Sequence, residues 1–142
     1  MKSTSVRGTM ISLTKANLSD VDFIIKLESK AENSKFIIPY TKSRHIDNIN
    51  SSDYEYLIIN YEAGPVGYII NKIDFVNHAL EIVRIVIDRK GLGLGKASLL
   101  SVIQRYLSMD YKKIWLDVFS DNIIANALYT KIGFVKNRTF LY

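Results

Sequence analysis

The chain contains no cysteine, which excludes disulfides, zinc–thiolate sites and a cysteine nucleophile. It also has no apolar run of membrane-spanning length, and its N-terminal residues contain no apolar signal core. We therefore expect a cytoplasmic protein without a membrane partner. The length of 142 residues suits one domain, and the hydrophobic fraction of 48% is typical of a globular chain with a proper core.

Basic residues are in excess, but they are not clustered. The formal net charge is +5, yet the lysines and arginines are scattered, without the run or stripe that a nucleic-acid-binding protein shows. We therefore expect no nucleic-acid partner. A small polyanionic ligand suits a mild positive excess equally well.

The N-terminal stretch MKSTSVRGT is polar and shows no periodicity. We expect residues 1–9 to be a disordered extension or a cloning remnant, with Met10 as a candidate natural start. Residues 10–142 are then expected to form a single domain.

Two short helices are expected in the first third of the chain. The first has one apolar face, and Asn17 or Ser19 can cap its N-terminus. The second begins at Thr41 or Ser43 and runs through Ile49. The two histidines, at positions 45 and 78, fall in polar surroundings, so we expect both to be exposed.

Runs rich in β-branched and aromatic residues predict six strands, in residues 11–15, 55–61, 66–73, 80–87, 113–119 and 134–142. Ala63, Gly64 and Pro65 predict a hairpin turn between the second and third of them. An apolar helix from Lys96 links residues 80–87 to residues 113–119, so this pair should be parallel. A last helix over residues 122–132 should end at Gly133.

Three glycines alternate with leucines directly after the 80–87 strand. Gly91, Gly93 and Gly95 allow backbone N–H groups to converge without side chains in the way, and the helix from Lys96 follows. Free N–H groups and the helix dipole both favour negative charge at such a helix start. The sequence therefore predicts an anion site here.

Two common phosphate-binding loops do not fit this stretch. A Walker A loop requires glycine where Lys90 stands and a hydroxyl where Ala97 stands, and that hydroxyl would hold magnesium. A dinucleotide loop read from Gly91 requires glycine at position 96, which is Lys96, and it belongs in an early βαβ unit.

The stretch Lys90-x-x-Gly93-x-Gly95, between a strand that contains Glu81 and an apolar helix, resembles the pyrophosphate loop of the GCN5-related N-acetyltransferases (GNAT). That family binds the pyrophosphate of coenzyme A with backbone amides. The family usually has Arg or Gln where this chain has Lys90, and Arg89 is adjacent.

A second motif resembles the same family. In LDVFSDNIIANALYTKIGF, residues 116–134, the positions of Asn122, Tyr129 and Gly133 match the family's second coenzyme A segment, and the stretch is most similar to the RimI/RimJ-like branch. The resemblance covers nearly the whole chain. It implies an α/β (α+β) fold with a mixed, mostly antiparallel sheet flanked by about four helices.

The resemblance also implies site residues. Tyr129 corresponds to the family's proton donor to the coenzyme sulfur, Glu81 to the general base of histone-type members, and Asp117 to the base of RimI-like members; a water-relayed path is a further alternative. The oxyanion donor would be a backbone N–H near Ile85. The implied contacts to the coenzyme come from Ile85, Val86, Ile87, Lys90, Gly91, Leu92, Gly93, Leu94, Gly95, Lys96 and Asn122.

These features predict an enzyme that transfers an acetyl group from acetyl-CoA to a primary amine, on a protein N-terminus or a small molecule, by direct attack and without a metal. A catalytically silent acyl-CoA-binding module of the same fold is the alternative. Phe36 and Tyr40 are candidates for the acceptor side, although core packing suits Phe36 as well. The aromatic C-terminal strand is a candidate for pairing with a second copy of the chain.

Overall fold

The computed structural model describes residues 3–6, 9–30, 35–62, 64–89, 91–136 and 140–142, and of residues 3–6 and 9 the backbone only. These ranges contain four α-helices, α1 (Val21–Ser29), α2 (Lys42–Asn50), α3 (Leu94–Ser108) and α4 (Ile123–Ile132). They also contain eight strands, β1 (Ser3–Val6), β2 (Thr9–Lys15), β3 (Tyr54–Tyr61), β4 (Gly64–Asp74), β5 (Ala79–Ile87), β6 (Lys113–Leu116), β7 (Val135–Lys136) and β8 (Phe140–Leu141).

The strands form one sheet in the order β1-β2-β3-β4-β5-β6-β8-β7. Neighbouring strands are antiparallel except β5 and β6, which are parallel because α3 carries the chain back between them. This arrangement confirms the predicted mixed, mostly antiparallel sheet with about four helices. No helix in the described ranges is both long enough and apolar enough to cross a bilayer.

The helices cover the two faces of the sheet. α1 and α2 pack on one face, which we call the α1 face, where Ile24 and Leu27 contact Tyr68 in a buried cluster. α3 and α4 pack on the opposite face, the α3 face, where Leu99 and Tyr129 belong to a larger cluster. The apolar periodicity of α1 therefore predicts the burial of Ile24 and Leu27 correctly, whereas the buried residues of α2 are polar.

Local capping accounts for the helix boundaries. The Thr41 hydroxyl accepts a hydrogen bond of 3.1 Å from the Arg44 N–H, so α2 begins after Thr41 rather than Ser43. The Asn122 side chain accepts one of 3.3 Å from the Ala125 N–H at the start of α4. Gly133 ends α4 with a φ of 123°, which confirms the predicted helix end.

Three predictions about the strands need correction. Ser3–Val6 pair with β2, so the expected disorder of residues 1–9 is wrong there, whereas the domain boundary at residue 10 stays a prediction. The described part of residues 134–142 contains two short strands instead of one, because β8 pairs antiparallel with both β6 and β7. Gly64 and Pro65 belong to β4 and not to the turn, while Ala63 lies outside the described residues.

His45 is fully buried, with 0% of its surface exposed, so the prediction of a solvated residue is wrong. Its two ring nitrogens lie 2.8 Å from a Glu28 carboxylate oxygen and 2.8 Å from the Tyr56 hydroxyl. These partners come from α1 and β3, so the polar sequence around His45 did not reveal them. His78 is exposed, as predicted.

Candidate active site

The sheet opens between β5 and β6. β5 runs from Ala79 to Ile87, but β6 pairs only with its first three residues, Ala79 to Glu81. Among the described residues, no strand pairs with the rest of β5 on that side. An unpaired strand edge offers backbone groups to an extended ligand. Ile85, Val86 and Ile87, the residues predicted to bind the pantetheine arm, lie on this edge.

A β-bulge lies beside the opening. Arg84 pairs with Ile70 of β4 and Ile82 pairs with Asn71, so Val83 is the extra residue. The bulge interrupts the alternation of β5, because Val83 and Arg84 both face the α1 side of the sheet. Bulges are frequent next to active sites, where they redirect side chains and backbone groups.

The glycine loop lies at the N-terminus of α3. Gly91 and Gly93 have φ angles of 80° and 73°, a backbone conformation that favours glycine, and a Cβ at either position would meet open space. No side chain caps the start of α3 in the described residues, so its first N–H groups face outward without a side-chain acceptor. This geometry suits an anion.

The loop also lies close to the second motif. A Cβ at Gly95 would be 3.5 Å from Leu128 of α4 and 3.6 Å from Ile87 of β5. The tertiary structure therefore brings both predicted motifs to one place. Leu92 and Leu94 pack against the core, and Lys96 is half-buried in the first turn of α3.

Of the two basic residues that precede the loop, the structure describes only Arg89. Lys90 lies outside the described residues, so its predicted contact with the coenzyme stays a prediction. The Arg89 guanidinium lies 5.3 Å from the centre of the Tyr61 ring on β3, which directs it toward β3.

Tyr129 lies on α4 with 8% of its surface exposed, and its ring packs against Phe134 and Phe140 at centroid distances of 5.9 and 5.6 Å. Burial raises the pKa of its hydroxyl to about 12. The ring is thus part of the core on the α3 face. Its hydroxyl has no hydrogen-bond partner among the described residues.

The two candidate bases differ in their environment. Glu81 lies on β5 opposite Lys72 of β4. Burial raises its pKa, the nearby charge of Lys72 opposes this rise, and the charge of Asp117 adds a smaller increase. Asp117 follows the end of β6 and is exposed. Glu81 is level with Trp115 on the parallel strand, so Asp117 lies two residues further along the same face.

Asn122 caps α4, and its predicted contact with the coenzyme stays a prediction. The buried polar side chains of the α1 face could not be identified as neighbours from the sequence. Glu28 and His45 form a buried pair there, and Arg84 joins them from the bulge. A signal existed for Glu28, because it follows Ile24 by four positions and therefore lies on the apolar side of α1.

A cavity of about 300 Å³ lies away from this opening, between the second half of α3 and strands β2 and β3. Leu13, Val102 and Met109 line its apolar part, and Glu55 and Arg105 its polar part. None of the predicted site residues lines it. In the described ranges, no three His, Asp or Glu side chains are grouped so as to hold a metal ion.

The sequence model of the Acetyltransferase (GNAT) family matches residues 23–134. The chain therefore belongs to this family. No curated protein sequence shows significant similarity to the chain.

Solved structures share the fold at low identity. RimL, a ribosomal L7/L12 alpha-N-protein acetyltransferase in complex with coenzyme A, is 17% identical with a TM-score of 0.82, covering 99% of this chain and 97% of its own. PaiA N-acetyltransferase from Thermoplasma acidophilum, also with coenzyme A, is 18% identical with a TM-score of 0.76, covering 92% and 96%. SpeG spermidine N-acetyltransferase from Vibrio cholerae is 19% identical with a TM-score of 0.75, covering 89% and 80%.

Proposed function

We propose that this protein transfers an acetyl group from acetyl-CoA to a primary amine. The single observation that supports this most is the opening between β5 and β6, with the uncapped glycine loop of α3 at its end. The opening offers a free strand edge for the amide groups of a pantetheine arm, and the loop offers N–H groups for a pyrophosphate. Two structural neighbours were solved with coenzyme A, which supports the same cosubstrate here.

The reaction needs a base for the amine, a donor for the carbonyl oxygen and a proton for the leaving sulfur. Acetyl-CoA supplies the thioester. As the amine nitrogen bonds to the acetyl carbon and the carbon–sulfur bond breaks, the base takes the amine proton and Tyr129 gives its proton to the sulfur. The Ile85 N–H, next to the bulge, is the proposed donor to the carbonyl oxygen.

Glu81 is the better candidate for the base. Its raised pKa lies nearer to neutral pH, which favours proton transfer at that pH. Asp117, in contrast, is exposed to solvent. Both carboxylates lie on the side of the sheet that α1 and α2 cover, so the acceptor would approach from that side. A water molecule that relays the proton to Glu81 is compatible with this placement.

The acceptor class follows from the family only in outline. We propose a protein N-terminus or a small-molecule amine, in keeping with the RimI/RimJ-like sequence of residues 116–134. Among the structural neighbours, RimL is a protein alpha-N-acetyltransferase and SpeG is a spermidine N-acetyltransferase, which gives one acceptor of each kind. A homodimer through β7, whose outer edge is free of a strand partner in the described residues, and a cytoplasmic location stay predictions.

Thermal unfolding with and without acetyl-CoA tests the cosubstrate, with NAD and ATP as controls. At about 100 times its dissociation constant, a ligand stabilises the folded state by about 2.7 kcal/mol. For a domain of this size that raises the unfolding midpoint by roughly 5 to 10 °C. A shift with acetyl-CoA alone supports the proposal, and its absence would reject it.

Gly93→Val makes this test specific to the loop. A side chain at a φ of 73° is strained and would enter the anion site, so the shift caused by acetyl-CoA should largely disappear, measured from the variant's own midpoint. Gly64→Val is the matched control, because Gly64 lies in β4 without a positive φ and a Cβ there has open space. An unchanged shift in folded Gly93→Val would remove the pyrophosphate from the loop. Thiol release with added amines then separates the enzyme from a silent acyl-CoA-binding module.

A further inference from the structure

Arg84 connects three separate parts of the fold. It lies on β5 at the bulge, with 10% of its side chain exposed. One terminal nitrogen donates to a Glu28 carboxylate oxygen on α1 at 2.5 Å, and the other donates to the backbone carbonyl of Ile38 at 2.9 Å. The guanidinium carbon also lies 4.5 Å from the centre of the Tyr40 ring.

Glu28 is itself held in place from several directions. Its side chain is 1% exposed, and it accepts a hydrogen bond of 2.9 Å from the Tyr68 hydroxyl and lies 2.8 Å from a ring nitrogen of His45. Burial alone would raise its pKa, but His45, Tyr68 and Arg84 together hold the pKa below the usual value. Glu28 is thus a fixed anionic anchor for the Arg84 guanidinium.

The segment that Arg84 binds lies on the acceptor side of the proposed site. Residues 35–41 precede α2 and run along the α1 face, where Ile37 and Tyr40 pack against the cluster that includes Tyr68 and Val86. Arg44 reaches the Tyr40 ring from α2 at 4.6 Å. Residues 35–41 belong to no helix or strand, so no regular backbone hydrogen bonds hold this segment in place. Side-chain contacts must therefore hold it.

We propose that Arg84 is a positioning residue, which ties residues 35–41 to the bulged strand β5 and thereby fixes the acceptor side of the site relative to the acetyl group. The inference rests on the proposed function. Because Arg84 directly precedes Ile85, β5 would position both the N–H that donates to the acetyl carbonyl oxygen and the segment of residues 35–41 that faces the amine. Both terminal nitrogens of Arg84 donate within the fold, its guanidinium lies against the Tyr40 ring, and only 10% of its side chain is exposed. Arg84 therefore acts through the segment and not by binding the acceptor.

Arg84→Lys tests this role, because lysine keeps the charge but cannot form the planar fork that reaches two acceptors at once. Amide hydrogen exchange of the peptide that covers residues 35–41 should become at least tenfold faster. With spermidine and a peptide with a free N-terminus as amine probes, kcat/KM should fall at least tenfold, mainly through the KM of the amine. The dissociation constant of acetyl-CoA should stay within twofold.

Arg105→Lys is the matched control. Arg105 also pairs with a partly buried carboxylate, Glu55, at 3.0 Å and lies 5.7 Å from the Tyr106 ring, but on α3 at the far cavity. It should change neither the exchange of residues 35–41 nor the amine KM. If Arg84→Lys behaves like Arg105→Lys in both measurements, Arg84 is not a positioning residue.

A second variant distinguishes the loss of positioning from a general loss of stability. Glu28→Gln combined with Arg84→Met removes both charges of the pair, so no unpaired charge stays buried. It should show the same fast exchange of residues 35–41, and unchanged exchange would contradict the proposal. If the wild type neither binds acetyl-CoA nor acetylates either probe, the proposed function fails, and the exchange data still decide whether Arg84 holds the segment.

Discussion

Replacing Glu28 by Gln should destabilise the protein strongly, because it leaves the Arg84 guanidinium without its anion. Glu28 is 1% exposed and contacts Arg84 at 2.5 Å and His45 at 2.8 Å. The amide has almost the same shape as the carboxyl group. The change therefore removes the charge without creating a cavity.

The expected size follows from burial. Removing one partner of a buried ion pair costs about 3–5 kcal/mol, because the other charge stays desolvated. In a domain of roughly this size, 1 kcal/mol shifts the unfolding midpoint by about 2–4 °C, so Glu28→Gln should lower it by about 10 °C. Circular dichroism during heating at about pH 7 measures this midpoint.

The sign of the pH dependence is fixed by the lowered pKa of Glu28 in the folded state. A carboxyl group of this kind stabilises the fold above its unfolded pKa, and the stabilisation is lost as the pH falls through the folded pKa. The difference in midpoint between the wild type and Glu28→Gln should therefore persist at about pH 5, shrink as the pH falls below the unfolded pKa, and be lost once the pH has fallen through the folded pKa.

Asp22→Asn is the control on the same helix. Asp22 pairs with Lys42 at 3.2 Å, but its side chain is 83% exposed, so its loss should cost less than about 1 kcal/mol. The reasoning is refuted if Glu28→Gln is no less stable than Asp22→Asn at about pH 7. It is also refuted if the effect of Glu28→Gln does not change between about pH 5 and pH 3.

Two substitutions test the proposed chemistry. Tyr129→Phe should lower turnover by about 100-fold while the affinity for acetyl-CoA stays within twofold, measured by thiol release and ligand-induced thermal shift; equal losses of both would indicate a packing role. Glu81→Gln should lower kcat about 100-fold and remove the low-pH limb of the pH–rate profile. In the wild type, this limb should lie at higher pH than for an ordinary glutamate, because the pKa of Glu81 is raised. If Asp117→Asn shows that loss and Glu81→Gln does not, Asp117 is the base.

The candidate site was largely predictable where its features are local. The φ angles that Gly91 and Gly93 adopt are ones that glycine favours, and the order of strand, loop and helix follows from periodicity within one short stretch. The same holds for the cap by Asn122 and the helix end at Gly133. The roles of these residues toward a ligand stay predictions.

The α1 face was not predictable in this way. His45 sits in a polar stretch that resembles a solvated helix, and Arg84 lies within a run of β-branched residues that resembles an ordinary strand. Whether these groups are buried depends on Glu28 and Tyr56, which reach them from other elements. No pattern within either stretch contains that information.

The sequence by itself determined the order of the four helices and of strands β2 to β6, the helix end at Gly133 and the two motifs of the family, because each depends on residues within a few positions of one another. Only the tertiary structure decided where β5 and β6 separate, where the bulge at Val83 turns Arg84 toward α1, and that Glu28 and His45 are buried as a pair. These features depend on strand register and on side chains that meet from distant parts of the chain. Register and long-range contacts are set by the packing of the whole sheet between its helices.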